Sequence, residues 1–327
     1  MKNIAYKCLI AISIMFICNA CNDEWEDEQF EHYVSFKAPM DLSIGCTNIY
    51  LRYNPEGRVT YKLPVIVSGS TLNNQNLDVH IGIDLDTLQN INREHFNLRE
   101  DLYYRTLDKN QYDFPGTVQI PAGQDVALLD LNFTLGKIDL VDKWVLPLTI
   151  LDDMSYNYQS NPRKNYRKAI LRIIPFNNYS GVYSASTMNV YFKGTSSNPM
   201  TSNTRNSYVV DDKTIFFYAG VQDEDLLERS TYKILTRFNN DGTLTLTAED
   251  PKINLNVKGT PTYELSERVD DTLPYLMHYY VTVKMEYEFD DYTSVPGQII
   301  SYTAQGTMTM ERKINTQIPD EDQAIEW

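Results

Sequence analysis

Four pairs of adjacent carboxylates are the first residues in this chain that could do chemistry: Asp152-Asp153, Asp211-Asp212, Asp270-Asp271 and Asp290-Asp291. Glycoside hydrolysis needs two carboxyl groups across one bond, about 5 to 9.5 Å apart. Neighbours along a strand point to opposite faces, and Asp in a polar turn mostly caps backbone amides. All four pairs lie in polar, loop-like stretches, so they read as turn residues and the chain as no enzyme. The four histidines are scattered, so no metal cluster is visible and no cofactor is implied. Asn239-Asn240-Asp241-Gly242 lacks the further acidic ligands of a calcium loop and reads as a hairpin turn.

What remains is recognition chemistry. Aromatic faces suit the apolar side of a sugar ring, and Asn, Asp or Gln can hydrogen-bond its hydroxyls. Tyr156, Asn157 and Tyr158 combine both in one polar loop, and tyrosines two apart in extended backbone share a side. Tyr103, Tyr104 and Tyr292 are the other loop aromatics. Each tyrosine taken singly is more often a loop anchor.

The elements that position these residues begin after a leader. Lys2 and Lys7 precede an apolar run over residues 9–17, which reads as a signal peptide over residues 1–20. The run is shorter than the ~20 residues of a membrane-spanning helix. Ala20 before Cys21 makes a loose lipobox, so Cys21 is expected to carry lipid and to anchor the chain to a membrane. Asp23, Glu24, Glu26, Asp27 and Glu28 make residues 21–32 a solvated acidic tether. Cys8 and Cys18 leave with the leader. Cys46 then stands alone, with no disulfide framework, and reads as a small buried hydrophobe. The net charge of −15 argues against nucleic acid, which needs a basic surface.

The 24 tyrosines favour strands, and the patterning agrees. Leu77, Val79, Ile81, Ile83 and Leu85 alternate with polar residues, which predicts a half-buried strand with His80 toward solvent. Leu129, Leu131, Phe133 and Leu135 repeat the pattern, as do Trp144, Leu146, Leu148 and Ile150, with Trp144 in the core. Residues 86–98 predict one or two helical turns. Pro64 and Pro147 imply strand edges or bulges. About seven short strands over residues 33–175 predict an antiparallel sandwich. Over residues 176–315, the alternations at Val281 to Phe289 and Ile300 to Met310 predict an antiparallel barrel or a second sandwich. The expected fold is all-β, with residues 316–327 as a poorly ordered acidic tail.

Leu63-Pro64-Val65-Ile66-Val67-Ser68-Gly69-Ser70, Ile120-Pro121-Ala122-Gly123 and Trp144-Val145-Leu146-Pro147-Leu148-Thr149-Ile150 resemble, in that order, the N-terminal immunoglobulin-like domain of a Bacteroidetes surface lipoprotein family. Asn177-Asn178-Tyr179-Ser180-Gly181-Val182-Tyr183 is similar to the start of that family's β-rich C-terminal domain, and residues 314–322 to its closing run. The acids after Cys21 resemble the family's export tag. Asp86-Thr87-Leu88 and Asp271-Thr272-Leu273 resemble Bacteroidetes O-glycosylation acceptors, with Thr87 and Thr272 as the modified residues.

The resemblance implies an outer-membrane lipoprotein facing the cell exterior that captures oligo- or polysaccharide for a SusC/SusD-like importer, without chemistry. Similar domains also precede chitinase-like enzymes, but the stretch after Pro175 is well short of the ~250 residues of such a barrel and shows no βα alternation. The N-terminal domain is expected to act as a spacer. The C-terminal domain and the inter-domain groove are expected to hold the ligand. The alternative is a structural or adhesive component, such as a fimbrial-type subunit or assembly partner, whose ligand is protein.

Overall fold

A computed structural model describes residues 31–54, 58–136, 138–163 and 165–327; the leader, Cys21 and most of the tether lie outside the described residues. The first domain runs through β1 (Tyr33–Phe36), β2 (Thr47–Arg52), β3 (Val59–Val67), β4 (Leu77–Ile83), helix α1 (Leu85–Phe96), β5 (Tyr104–Thr106), β6 (Tyr112–Asp113), β7 (Thr117–Ile120), β8 (Val126–Phe133), β9 (Lys143–Ile150), β10 (Gln159–Ser160) and β11 (Lys168–Phe176). These strands form two sheets, ordered β10-β1-β3-β8-β6 and β2-β11-β9-β4-β7, with β5 also on β9. The alternating apolar residues of β4, β8 and β9 meet in one core between the sheets, as a sandwich requires.

Pro64 and Pro147 lie in interior strands rather than at edges or bulges. Each sits where a neighbour ends. The Pro64 carbonyl accepts from Lys37 just past β1, and that of Pro147 from Asp84 just past β4. The missing N–H therefore faces a strand terminus and costs no ladder bond. Trp144, expected in the core, is only half-buried, because its Nε1 reaches out to the Asp139 carbonyl at 2.7 Å.

The helical segment is longer than the expected turn or two. Asp84 caps it by accepting from the Thr87 amide at 2.9 Å, and Leu88 and Ile91 bury against Cys46, Val145 and Ile170. Helix α1 thus covers one half of the outer face of the β2-β11-β9 sheet. No helix among the described residues is long and apolar enough to cross a membrane.

The second domain contains β12 (Gly181–Ser184), β13 (Asn189–Phe192), β14 (Met200–Thr201), β15 (Thr204–Asp211), β16 (Thr214–Tyr218), β17 (Lys233–Phe238), β18 (Leu244–Ala248), β19 (Asn256–Val257), β20 (Thr262–Val269), β21 (Leu276–Asp291), β22 (Ile300–Asn315) and β23 (Ile325–Glu326). From β18 through β17, β16, β15 and β12 the strands lead to β22, which pairs with β21, and β21 with β20. A bridge between Thr243 and Thr262 then joins the two ends. Of the two expectations for this domain, the curled sheet is barrel-like. Val281, Val283, Met285, Tyr287 and Phe289 fill its interior with Phe217, Ile234 and Phe238.

The tail is not poorly ordered. Strand β23 adds to β22, Ala324 and Ile325 are buried, and Asp322 pairs with Arg52 at 2.6 Å. Apolar Ala324, Ile325 and Trp327 outweigh the acids around them and draw the segment into the junction between the domains.

Candidate functional site: the inter-domain groove

Strands β2 and β11 run parallel with Arg172 beside Asn48, Ile174 beside Tyr50 and Phe176 beside Arg52. Alternation sends these side chains away from the sandwich core. Helix α1 covers the face before them and the barrel covers the face beyond, leaving a groove of about 380 Å³ whose far wall includes Val182, Asn206 and Tyr208.

Two clamps hold the walls. At one end Arg52 pairs with Asp322 and donates to Asn178 Oδ1 at 3.0 Å. At the other, buried Arg229 donates to the carbonyls of Asp101 (2.8 Å) and Val141 (3.2 Å), and Lys233 reaches Asp139 at 3.1 Å. Walls tied together in this way keep the groove formed before anything enters it.

Aromatic surface sits at the first clamp. Trp327 stacks on Tyr50 with ring centroids 3.9 Å apart and meets Phe176 edge-on at 4.7 Å. The Arg312 guanidinium lies over Trp327 at 5.2 Å and donates to the carbonyls of Asn177 (3.1 Å) and Ser180 (2.8 Å). Burial brings Arg312 down to about 10, which still leaves it charged at neutral pH.

Polar groups line the other end. Burial pushes the Glu224 carboxyl up, but Lys143 at 3.5 Å and the Tyr208 hydroxyl at 2.7 Å outweigh it and hold the group below its ordinary value. Glu224 is therefore ionised at neutral pH, the wrong state for a general acid. Asn48 Oδ1 is buried without a partner. Among the described residues, no three His, Cys, Asp or Glu gather as a metal site. The Tyr50–Trp327 stack covers the two faces that meet, and the outward surface of half-exposed Trp327, beside mixed donors and acceptors, can hold a ring with one apolar side and several hydroxyls.

Of the residues singled out by sequence, Tyr156, Asn157 and Tyr158 come together in a separate polar depression with His32, Asn73 and Gln75. They do not make an open platform. Tyr158 is buried, its hydroxyl donating to the Leu151 carbonyl (2.8 Å) and accepting from the His80 amide (3.0 Å). Tyr156 has one face covered by His80 at 4.1 Å, so His80 lies under a ring rather than in open solvent. Asn157 is exposed, and its amide donates to the Asn76 carbonyl.

Tyr104, expected in a loop, is buried in β5. Its hydroxyl donates to the Ile44 carbonyl, and its backbone exchanges two bonds with the Asn92 side chain. Tyr103 anchors on the Asn97 carbonyl at 2.6 Å. Tyr292 is exposed but lines neither cavity; its amide donates to Tyr232. Thr87 is an N-cap partner rather than a free acceptor, because its hydroxyl donates to Asp84 and receives Lys168. Thr272 is exposed, with its hydroxyl on Asp270. Cys21 lies outside the described residues.

Tyr50, Arg172 and Trp327 were not singled out by sequence. Arg172 carried a signal: it is a charge in the middle of the apolar run from Ala169 to Ile174. Trp327 carried none, since its place depends on the docking of β23.

Comparison with known proteins fits this architecture. A family profile described as a domain of unknown function, DUF4973, matches residues 25–154, and one for a C-terminal domain matches residues 167–309. No curated protein matches. A Bacteroides ovatus structure of unknown function is 49% identical over 90% of this chain and 100% of its own, with a TM-score of 0.82. A multidomain Bacteroides ovatus protein including DUF1735 is 48% identical over 90% of this chain and 100% of its own, at 0.81. A Bacteroides thetaiotaomicron structure described as an auxiliary nutrient binding protein is 41% identical over 91% of this chain and 100% of its own, also at 0.81. The chain belongs to the family that these Bacteroides structures represent.

Proposed function

We propose that the protein is a non-catalytic surface lipoprotein that captures carbohydrate in the inter-domain groove. The observation that carries this reading is the Tyr50–Trp327 stack, set beside polar groups between two clamped walls. The relative described as nutrient binding supports a binding role. Lipid on Cys21 would hold the protein on the outer membrane facing outward, where a SusC/SusD-like importer would take over the ligand.

A glycan array probed with residues 22–327 tests the reading. A hit is expected, weakened about tenfold or more by Trp327→Ala and unchanged by Tyr156→Ala. A hit lost with Tyr156→Ala alone moves the site to the depression beside His80. A blank array with folded protein favours a protein ligand instead. Cys21→Ala is expected to release the protein from the membrane fraction; retention there overturns the lipid anchor.

A further inference from the structure

Most charges around the groove are already matched; among the described residues the exceptions on its lining are Arg172 and, beside Trp327, Glu326. Glu224 is held by Lys143 and Tyr208. Asp142 meets Arg105 at 3.0 Å and Arg229 at 3.7 Å. Arg312 is committed to two carbonyls and two aromatic rings. Arg172 differs. It rises from the middle of β11, half-buried, and among the described residues it makes neither an ion pair nor a hydrogen bond. Its charge reaches Glu224 and Tyr208 only at a distance. A guanidinium is a planar fork of donors that matches a carboxylate or sulfate.

Within the carbohydrate reading, on which this rests, we propose that the groove selects a sugar bearing an acid group. The carboxylate or sulfate lies on Arg172, and the ring's apolar side lies against the Tyr50–Trp327 pair. The whole-chain charge of −15 repels a long polyanion. Screening over about 8 Å in physiological salt still lets the local Arg172 field act on one acid group. The ligand is therefore a short or acid-capped saccharide rather than a polyuronate.

Calorimetric titration of residues 22–327 with matched disaccharide pairs tests this: galacturonate-capped against neutral, and sulfated against neutral. The acid-bearing member of one pair is expected to bind at least about tenfold tighter. The pair that shows the preference separates carboxylate from sulfate. Arg172→Met, which keeps an apolar stem, is expected to erase the preference, and Arg172→Lys to keep part of it. Thermal melts of each variant confirm folding.

If neutral sugars bind equally, Arg172→Met is silent and Trp327→Ala still weakens binding, the acid selectivity is overturned while the groove reading stands. If no member of either pair binds, or binding ignores Trp327→Ala, the groove reading falls and this inference with it.

Discussion

His278 shows how single residues here answer to their neighbours. Its ring lies between Glu311 at 2.5 Å and Asp270 at 2.9 Å, and an imidazole donates to both only when protonated. Hydrogen bonds to Glu311 and then Asp270 raise its pKa above 6.5. Asp270 is held low by the Thr272 amide and hydroxyl before His278, and Glu311 chiefly by His278. A raised histidine stabilises fully below its unfolded pKa, and that contribution fades as pH climbs through the folded value. The lowered acids stabilise above their unfolded values and lose this as pH falls through the folded ones. Wild-type Tm is therefore expected to drop from about pH 6 to about pH 8, with a shallower drop in His278→Gln. Identical slopes would contradict the raised pKa. Tyr158→Phe, which removes a hydroxyl holding Leu151 and His80, is expected to cost about 1 kcal/mol in denaturant melts and to leave glycan binding intact.

At the scale of elements, strand identity was legible because one face of each strand is buried and period-two alternation follows. The paired acids are only partly as read: Asp153, Asp211, Asp270 and Asp291 each accept from the backbone amide two residues on, but Asp211 ends β15 and Asp290-Asp291 end β21 instead of lying in loops, and Asp291 is buried. Pairing across the chain was not legible. Nothing local places Asn48 beside Arg172 or seats Trp327 on Tyr50. The candidate site was therefore missed residue by residue, although the inter-domain groove itself was expected to take part.

Strand β22 carries a second long-range constraint. Strands β13 and β12 pair with it on either side of Gly306. There a Cβ would sit 2.1 Å from the Thr187 carbonyl oxygen, at a φ of +143. Gly306→Ala is expected to cost about 3 kcal/mol or more in a denaturant melt, and a neutral result would mean that the crossing can relax. Arg229→Ala leaves Asp101 and Asp142 short of a partner at the domain boundary. It is expected to cost about 2 kcal/mol, discounted because both acids are partly exposed. The wild type is expected to unfold in one transition and Arg229→Ala in two, and a single transition in both would mean that the clamp does not couple the domains.

For the whole molecule, two β domains are joined so that the outer face of one sheet and the wall of a barrel enclose a groove neither makes alone. The residues of the proposed site are thus spread over β2, β11, β12, β15 and the final residues, with an aromatic stack at one end and Arg172 at the other. A crystal structure of residues 22–327 with the strongest array ligand tests this most directly. Sugar density between Trp327 and Arg172, with no ligand against Tyr156, is the expected result. Density at Tyr156 or on an outer face, with the groove empty of sugar, would contradict it.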